Sequence, residues 1–160
     1  MKIIKSHNKY LTPEIVEECF IKGVLTSVDK VVCGNGFSTG FLNLKVRRNR
    51  MMIMIAPNRA VVEEKEQGYL EDLNRPLSHK DKVYHSQNRI KFFYGDSFDD
   101  NFDDADILVF VADSFIMRGD AVSQITHRID KVLLDEIHST HQQSLYRNIL
   151  VDFENRVVNR

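Results

Sequence analysis

Asp135 and Glu136 are the residue pair in this sequence best suited to chemistry, because two adjacent carboxylates end a short apolar run. The run begins at Lys131, and His138 follows the acids by two positions. The run predicts a buried strand of a parallel sheet, and such sheets place their ligand crevices at the carboxyl ends of the strands. Adjacent acids there are costly to bury unless they face a cation or a reacting water. The alternative is an ordinary strand that ends in a polar turn.

A glycine-rich segment with two hydroxyl side chains follows an earlier apolar run, Val28–Cys33. The segment consists of Gly34, Asn35, Gly36, Phe37, Ser38 and Thr39, and a short apolar helix is expected after it. In this order, glycines let backbone N–H groups surround an anion, and a hydroxyl at Ser38 or Thr39 can ligate magnesium. Phe37 occupies the place where a lysine would neutralise phosphates. The alternative is a glycine turn that joins a strand to a helix.

Two more apolar runs end in polar turns. Met51–Ile55 stops at Ala56–Arg59, where Arg59 could contact a nucleic-acid phosphate or could be a solvated arginine at a helix start. Ile107–Ala112 is followed by Ser114, which is predicted to cap a helical segment that runs through Ile125. Polar turns after apolar runs predict further strand ends at the same edge of the sheet.

The elements that must position these residues alternate between strands and helices. Thr12 is predicted to cap a helix, and Arg89–Tyr94 is predicted to be a strand. Met1–Leu11 has little pattern, Gly68–Gln87 is expected to be the least structured part, and an amphipathic helix is predicted over 139–160. The alternation predicts an α/β fold with a mainly parallel sheet flanked by helices.

Composition limits the class of protein. The 160 residues suffice for a single domain, and 42% hydrophobic with 28% charged residues is typical of a soluble globular chain. The net charge of -1 excludes a global basic field, so any nucleic-acid contact must be local. Two cysteines, the lack of a signal-peptide core and the lack of an apolar run of membrane-spanning length predict a cytoplasmic protein without membrane contact.

The ordered set of strand ends resembles the first RecA-like domain of superfamily 2 helicases, the DExH-box kind. Gly34-x-Gly36-x-Ser38-Thr39 resembles motif I, and Ala56-Pro57-Asn58-Arg59-Ala60 is similar to motif Ia. Val109–Ser114 is similar to the later strand that ends near a Thr-Pro, and Asp135-Glu136-Ile137-His138 has the sequence of motif II. The resemblance covers Val28 to His141 and implies a RecA-like P-loop NTPase fold, with residues 1–160 as a single domain.

The resemblance also implies roles for individual residues. Asp135 and Ser38 would hold Mg²⁺, Glu136 would orient or deprotonate the water that attacks ATP, and His138 would couple the nucleotide site to a second domain. DNA or RNA would be contacted by Pro57, Asn58 and Arg59. The ATP phosphates would be wrapped by Gly34, Asn35, Gly36, Phe37, Ser38 and Thr39.

The departures from the family pattern leave several functions open. Phe37 replaces the phosphate lysine, and Lys30, Lys45 or Lys65 could supply the charge instead. The sequence has no motif III strand and no room for a second RecA-like domain, which would have to lie in a longer protein or act in trans. We therefore expect the ATP-binding half of a helicase of phage or mobile-element origin. The alternatives are a non-hydrolysing nucleotide switch and a nucleic-acid or protein adaptor.

Overall fold

The main sheet is a four-stranded, all-parallel sheet. In this computed structural model the described residues are 2–6, 11–20, 26–30, 36–85, 87–95, 99–135, 148–149 and 151. The strand order is β4-β5-β3-β6, with β3 at Met51–Ala56, β4 at Ile90–Phe93, β5 at Ile107–Val111 and β6 at Ile129–Leu134. Parallel strands need crossover connections, and helices lie in those from β3 to β4 and from β5 to β6. The prediction of a parallel α/β fold from the sequence is confirmed.

Strand β3 is the centre of the sheet because both of its faces are apolar. All six of its residues are buried, and it pairs with β5 on one side and with β6 on the other. Met52 and Met54 face one hydrophobic core, whereas Met51 and Ile53 face the other. A strand that is apolar at every position is stable only with cover on both faces, so the sequence of β3 requires helices on each side.

Helices cover the two faces in chain order. The first core receives side chains from α1 (Pro13–Glu18), α2 (Phe37–Leu42) and α3 (Arg59–Leu73). The second core receives side chains from α4 (Ala112–Met117) and α5 (Gly119–Ile125), and a short 3₁₀ turn then leads into β6. Ile149, from the region predicted to be the last helix, is also buried in the second core.

A small second sheet corrects the prediction for the N-terminal region. Strand β1 (Lys2–Ser6) pairs in parallel with β2 (Thr26–Lys30), and Lys2 is the partner of Thr26. Sequence reasoning missed β1 because Ile3 and Ile4 are flanked by lysines and are too few to show a period. It also placed the start of the second strand at Val28, two residues later than the observed start at Thr26, and the predicted end at Cys33 lies outside the described residues.

Side-chain caps fix two of the helix starts. The N–H of Ile15 donates to Thr12 Oγ1 at 3.4 Å, which confirms the predicted cap of α1. The N–H of Val61 donates to Asn58 Oδ1 at 3.1 Å and caps α3. The predicted cap at Ser114 is wrong, because α4 begins earlier and Ser114 is buried within it.

Asp72 organises a segment that the sequence suggested was poorly structured. This buried carboxylate accepts hydrogen bonds from the N–H groups of Val83 and Tyr84 at 2.8 and 2.9 Å, and from Arg75 Nη1 at 3.0 Å. Burial raises the pKa of Asp72, but these three donors outweigh it and hold the pKa below its usual value. Burial raises the pKa of Tyr84 to about 12. Asp72 therefore ties the end of α3 to the chain that leads towards β4.

Candidate functional site

Asp135 lies at the carboxyl end of β6, next to the end of β3. Its side chain is buried at 4% exposure, and its backbone N–H donates to the carbonyl of Ile55 at 2.9 Å. This bond continues the β3–β6 ladder and sets Asp135 beside the turn at Pro57. Strand β6 itself is half-buried rather than buried as predicted, because it is the last strand in the described order.

Several predicted site residues lie outside the described part of the chain. They are Gly34 and Asn35 of the glycine-rich segment, and Glu136 and His138 of the segment after β6. Their roles as phosphate, water and coupling residues stay predictions, as does the expected proximity of the two segments.

Phe37 faces the hydrophobic core and not a phosphate. Gly36 has φ +79° and ψ 17°, a left-handed conformation that glycine adopts without strain, and α2 begins directly after it. The Phe37 side chain is 4% exposed and belongs to the first core. Only the backbone of Phe37 could therefore contact a nucleotide.

Lys65 contacts the glycine-rich segment, in which Phe37 stands in the place of the expected phosphate lysine. Its Nζ donates to Ser38 Oγ at 2.8 Å, and this joins α3 to the first turn of α2. Lys65 is six residues after Arg59, about 9 Å along α3, and helical side chains tilt towards the N-terminus of their helix. The side chain therefore extends towards the carboxyl ends of the strands. By contrast, Lys45 is exposed beyond the end of α2.

The contact at Ser38 bears on the expected magnesium site. The hydroxyl oxygen that would ligate the metal accepts a hydrogen bond from an ammonium group. A divalent cation on the same oxygen would lie about 4 Å from that ammonium, where two charges repel by several kcal/mol at the effective dielectric of a protein surface. Within the described ranges, the His, Cys, Asp and Glu residues form no group of three that could hold a metal. Ser38 as placed does not fit a magnesium ligand.

Arg59 is held at the carboxyl end of β4. Its Nε donates to Glu63 Oε1 at 2.6 Å, and its guanidinium carbon lies 5.1 Å from the centre of the Tyr94 ring. A Cβ added at Gly95 would approach Arg59 Nη1 to 3.3 Å, so glycine leaves room for the guanidinium. The Arg59 side chain keeps 61% of its surface exposed. This arrangement orients a cation towards solvent.

Sequence reasoning missed the residues that support Arg59. The Tyr94 hydroxyl donates to Glu66 Oε1 at 2.6 Å, and this bond raises the pKa of Tyr94. Their position in the sequence could have indicated these residues, because Tyr94 and Gly95 directly follow a strand, as the other candidate site residues do. The exposed side chain of Asn58 caps α3, and its role in nucleic-acid binding stays a prediction. Pro57 is half-buried before it.

A groove of about 290 Å³ lies beside the start of β4. Arg89, which precedes β4, lines it together with Tyr69, Leu73, Leu77 and Tyr84. Lys82, also in the lining, uses its ammonium to bond the carbonyls of Asp72 and Arg75. The groove shares no residue with the predicted site.

Among the described helices, none combines the length and apolar character needed to cross a membrane. The chain matches no protein-family model, no curated protein and no solved structure.

Proposed function

We propose that this chain is a nucleotide-binding domain of the DExH-box helicase type that works with nucleic acid. The observation that carries the proposal is the position of buried Asp135 at the carboxyl end of β6, beside the turn that starts α3. Parallel α/β sheets bind ligands outside the carboxyl ends of their strands. A buried carboxylate at that edge has a chemical purpose when it faces a cation or a reacting water.

The proposal divides the work among three groups of residues. The backbone from Gly34 to Thr39 would surround the phosphates of ATP, and Asp135 with Glu136 would form the acidic side of the site. His138 would couple the nucleotide site to a second RecA-like domain. Arg59 would contact the backbone of DNA or RNA.

We expect the isolated chain to bind ATP weakly and to hydrolyse it negligibly. The position of the usual phosphate lysine is occupied by Phe37, and the Phe37 side chain is buried in the core. We expect a dissociation constant for ATP on the order of 1 mM, which corresponds to about 4 kcal/mol of binding free energy. Phosphate release at millimolar ATP measures the turnover, with Glu136→Gln as the matched variant. Robust turnover that Glu136→Gln abolishes would contradict the prediction.

The burial of Phe37 favours a second candidate function. A core residue at this position is what an adaptor would have if it kept the fold and lost nucleotide. An adaptor would bind nucleic acid or protein with the same affinity whether ATP is present or not. Titration of a labelled oligonucleotide with and without ATP separates the two functions, because a nucleotide switch changes the oligonucleotide affinity.

Arg59→Ala is expected to weaken oligonucleotide binding in a way that does not depend on sequence. A phosphate contact contributes through counterion release, so losing one lowers the slope of log affinity against log salt by about 1. Fluorescence anisotropy over a range of salt concentrations gives this slope. Arg48→Ala is the control, since Arg48 is exposed before β3. Equal slopes for the Arg59→Ala variant and the unmodified chain would remove Arg59 from the interface.

A further inference from the structure

We propose that the ammonium group of Lys65 occupies the place at Ser38 that the helicase resemblance gives to magnesium, and that it binds the nucleotide phosphates directly. The inference rests on the proposed function and specifies the cation of that same site. It predicts that nucleotide binding does not depend on magnesium.

The contact geometry identifies Lys65 as this cation. Its Nζ lies 2.8 Å from Ser38 Oγ, and both side chains are half-buried. An ammonium has three donors and no acceptor. Its hydrogen bond to the Ser38 hydroxyl oxygen therefore fixes where the Lys65 charge lies relative to the first turn of α2. Partial burial strengthens its attraction to an anion relative to a fully solvated lysine.

The fold explains why the cation comes from α3. The left-handed conformation at Gly36 and the burial of Phe37 turn the side chain at position 37 into the core. A lysine there would have its charge buried. Helix α3 starts at the end of β3, on the same face of the sheet as α2, and Lys65 extends from it to the first turn of α2. The charge missing from the glycine-rich segment is thus supplied by a neighbouring element.

The chemistry of the two cations gives the prediction. A magnesium ion would need the Ser38 oxygen that Lys65 already uses, so the two compete for one position. Free ATP carries more negative charge than its magnesium complex and interacts more strongly with an ammonium. We therefore expect the affinity for ATP in EDTA to equal or exceed the affinity in excess Mg²⁺.

The experiment is an ATP titration of the full chain, followed by protein NMR, with EDTA in one series and Mg²⁺ in the other. Lys65→Met keeps the length and packing of the side chain and removes its charge, and Lys65→Arg keeps the charge. Lys45→Met is the control, because Lys45 is an exposed lysine beyond the opposite end of α2. We expect Lys65→Met to lose about tenfold or more in affinity and Lys65→Arg to recover part of it.

The outcomes separate this inference from the proposed function. Magnesium-independent binding that Lys65→Met weakens and Lys45→Met leaves unchanged supports the inference. Binding that requires Mg²⁺, or that survives Lys65→Met, overturns the inference and leaves the proposed function in place. Absence of binding in both series overturns both. If Lys65→Met lowers the melting temperature, Lys65→Gln replaces it, and the comparison of EDTA with Mg²⁺ on the unmodified chain still decides.

Discussion

Phe37→Lys is expected to destabilise the fold, so that a large fraction of the molecules is unfolded, and it is not expected to create a tight ATP site. Phe37 is 4% exposed within the first core, so the substitution removes an aromatic ring and places a charge among apolar side chains. Truncation of a buried phenylalanine alone costs about 3–5 kcal/mol, and an unpaired buried charge adds to this. Small domains have only about 5–15 kcal/mol of folding free energy in total.

Urea denaturation of the Phe37→Lys variant measures the effect. Phe37→Leu is the matched control, because it keeps the site apolar and is expected to cost far less. Tighter ATP binding by Phe37→Lys, with unchanged stability, would show that position 37 can serve a latent phosphate site. That result would also weaken the case for Lys65 as the cation.

Asp72→Ala is expected to cost about 3–5 kcal/mol of folding free energy. The substitution leaves the N–H groups of Val83 and Tyr84 without their acceptor, and each unsatisfied buried donor costs about 1–3 kcal/mol. It also removes the closer of the two carboxylates beside Arg75, since Asp72 lies at 3.0 Å and Glu71 at 4.0 Å. Glu71→Ala is the control, since Glu71 is exposed on the same helix and its substitution is expected to change stability by about 0.5 kcal/mol or less. Equal effects of the two substitutions in urea denaturation would contradict this role of Asp72.

The same carboxylate gives stability a defined pH dependence. The pKa of Asp72 is lowered in the folded state, so the unfolded chain takes up a proton first as the pH falls. The contribution of Asp72 is complete above the ordinary aspartate pKa of about 3.9 and is lost as the pH falls through the folded value. Asp72→Asn is expected to flatten the fall in unfolding free energy over this acid range.

The parts of the fold that the sequence predicted are those that local pattern determines. Strands β3 and β5 are continuous apolar runs, and their observed ends lie within one residue of the predicted ends. The Thr12 cap was also predictable, because it needs only a hydroxyl three residues before the N–H that it accepts. Strand β1 depends instead on pairing with a distant strand, and its own residues show no period.

In the candidate site, too, the sequence predicted what local pattern determines and missed what depends on tertiary contacts. Asp135 could be placed from its position after an apolar run, whereas the roles of Phe37 and Lys65 depend on tertiary contacts. Ser38 and Lys65 are 27 residues apart, so the sequence could not choose Lys65 over Lys45. Likewise, the sequence of the glycine-rich segment did not show that Phe37 points into the core.

The central claim is that the carboxyl ends of the parallel strands hold the phosphates of a nucleotide. Amide chemical shifts of the isotope-labelled chain during ATP titration test this claim most directly. The expected result is a set of saturable shifts at Gly36, Ser38, Lys65 and Asp135, with little change in the groove at Arg89. Shifts confined to that groove, or no shifts at millimolar ATP, would contradict the claim.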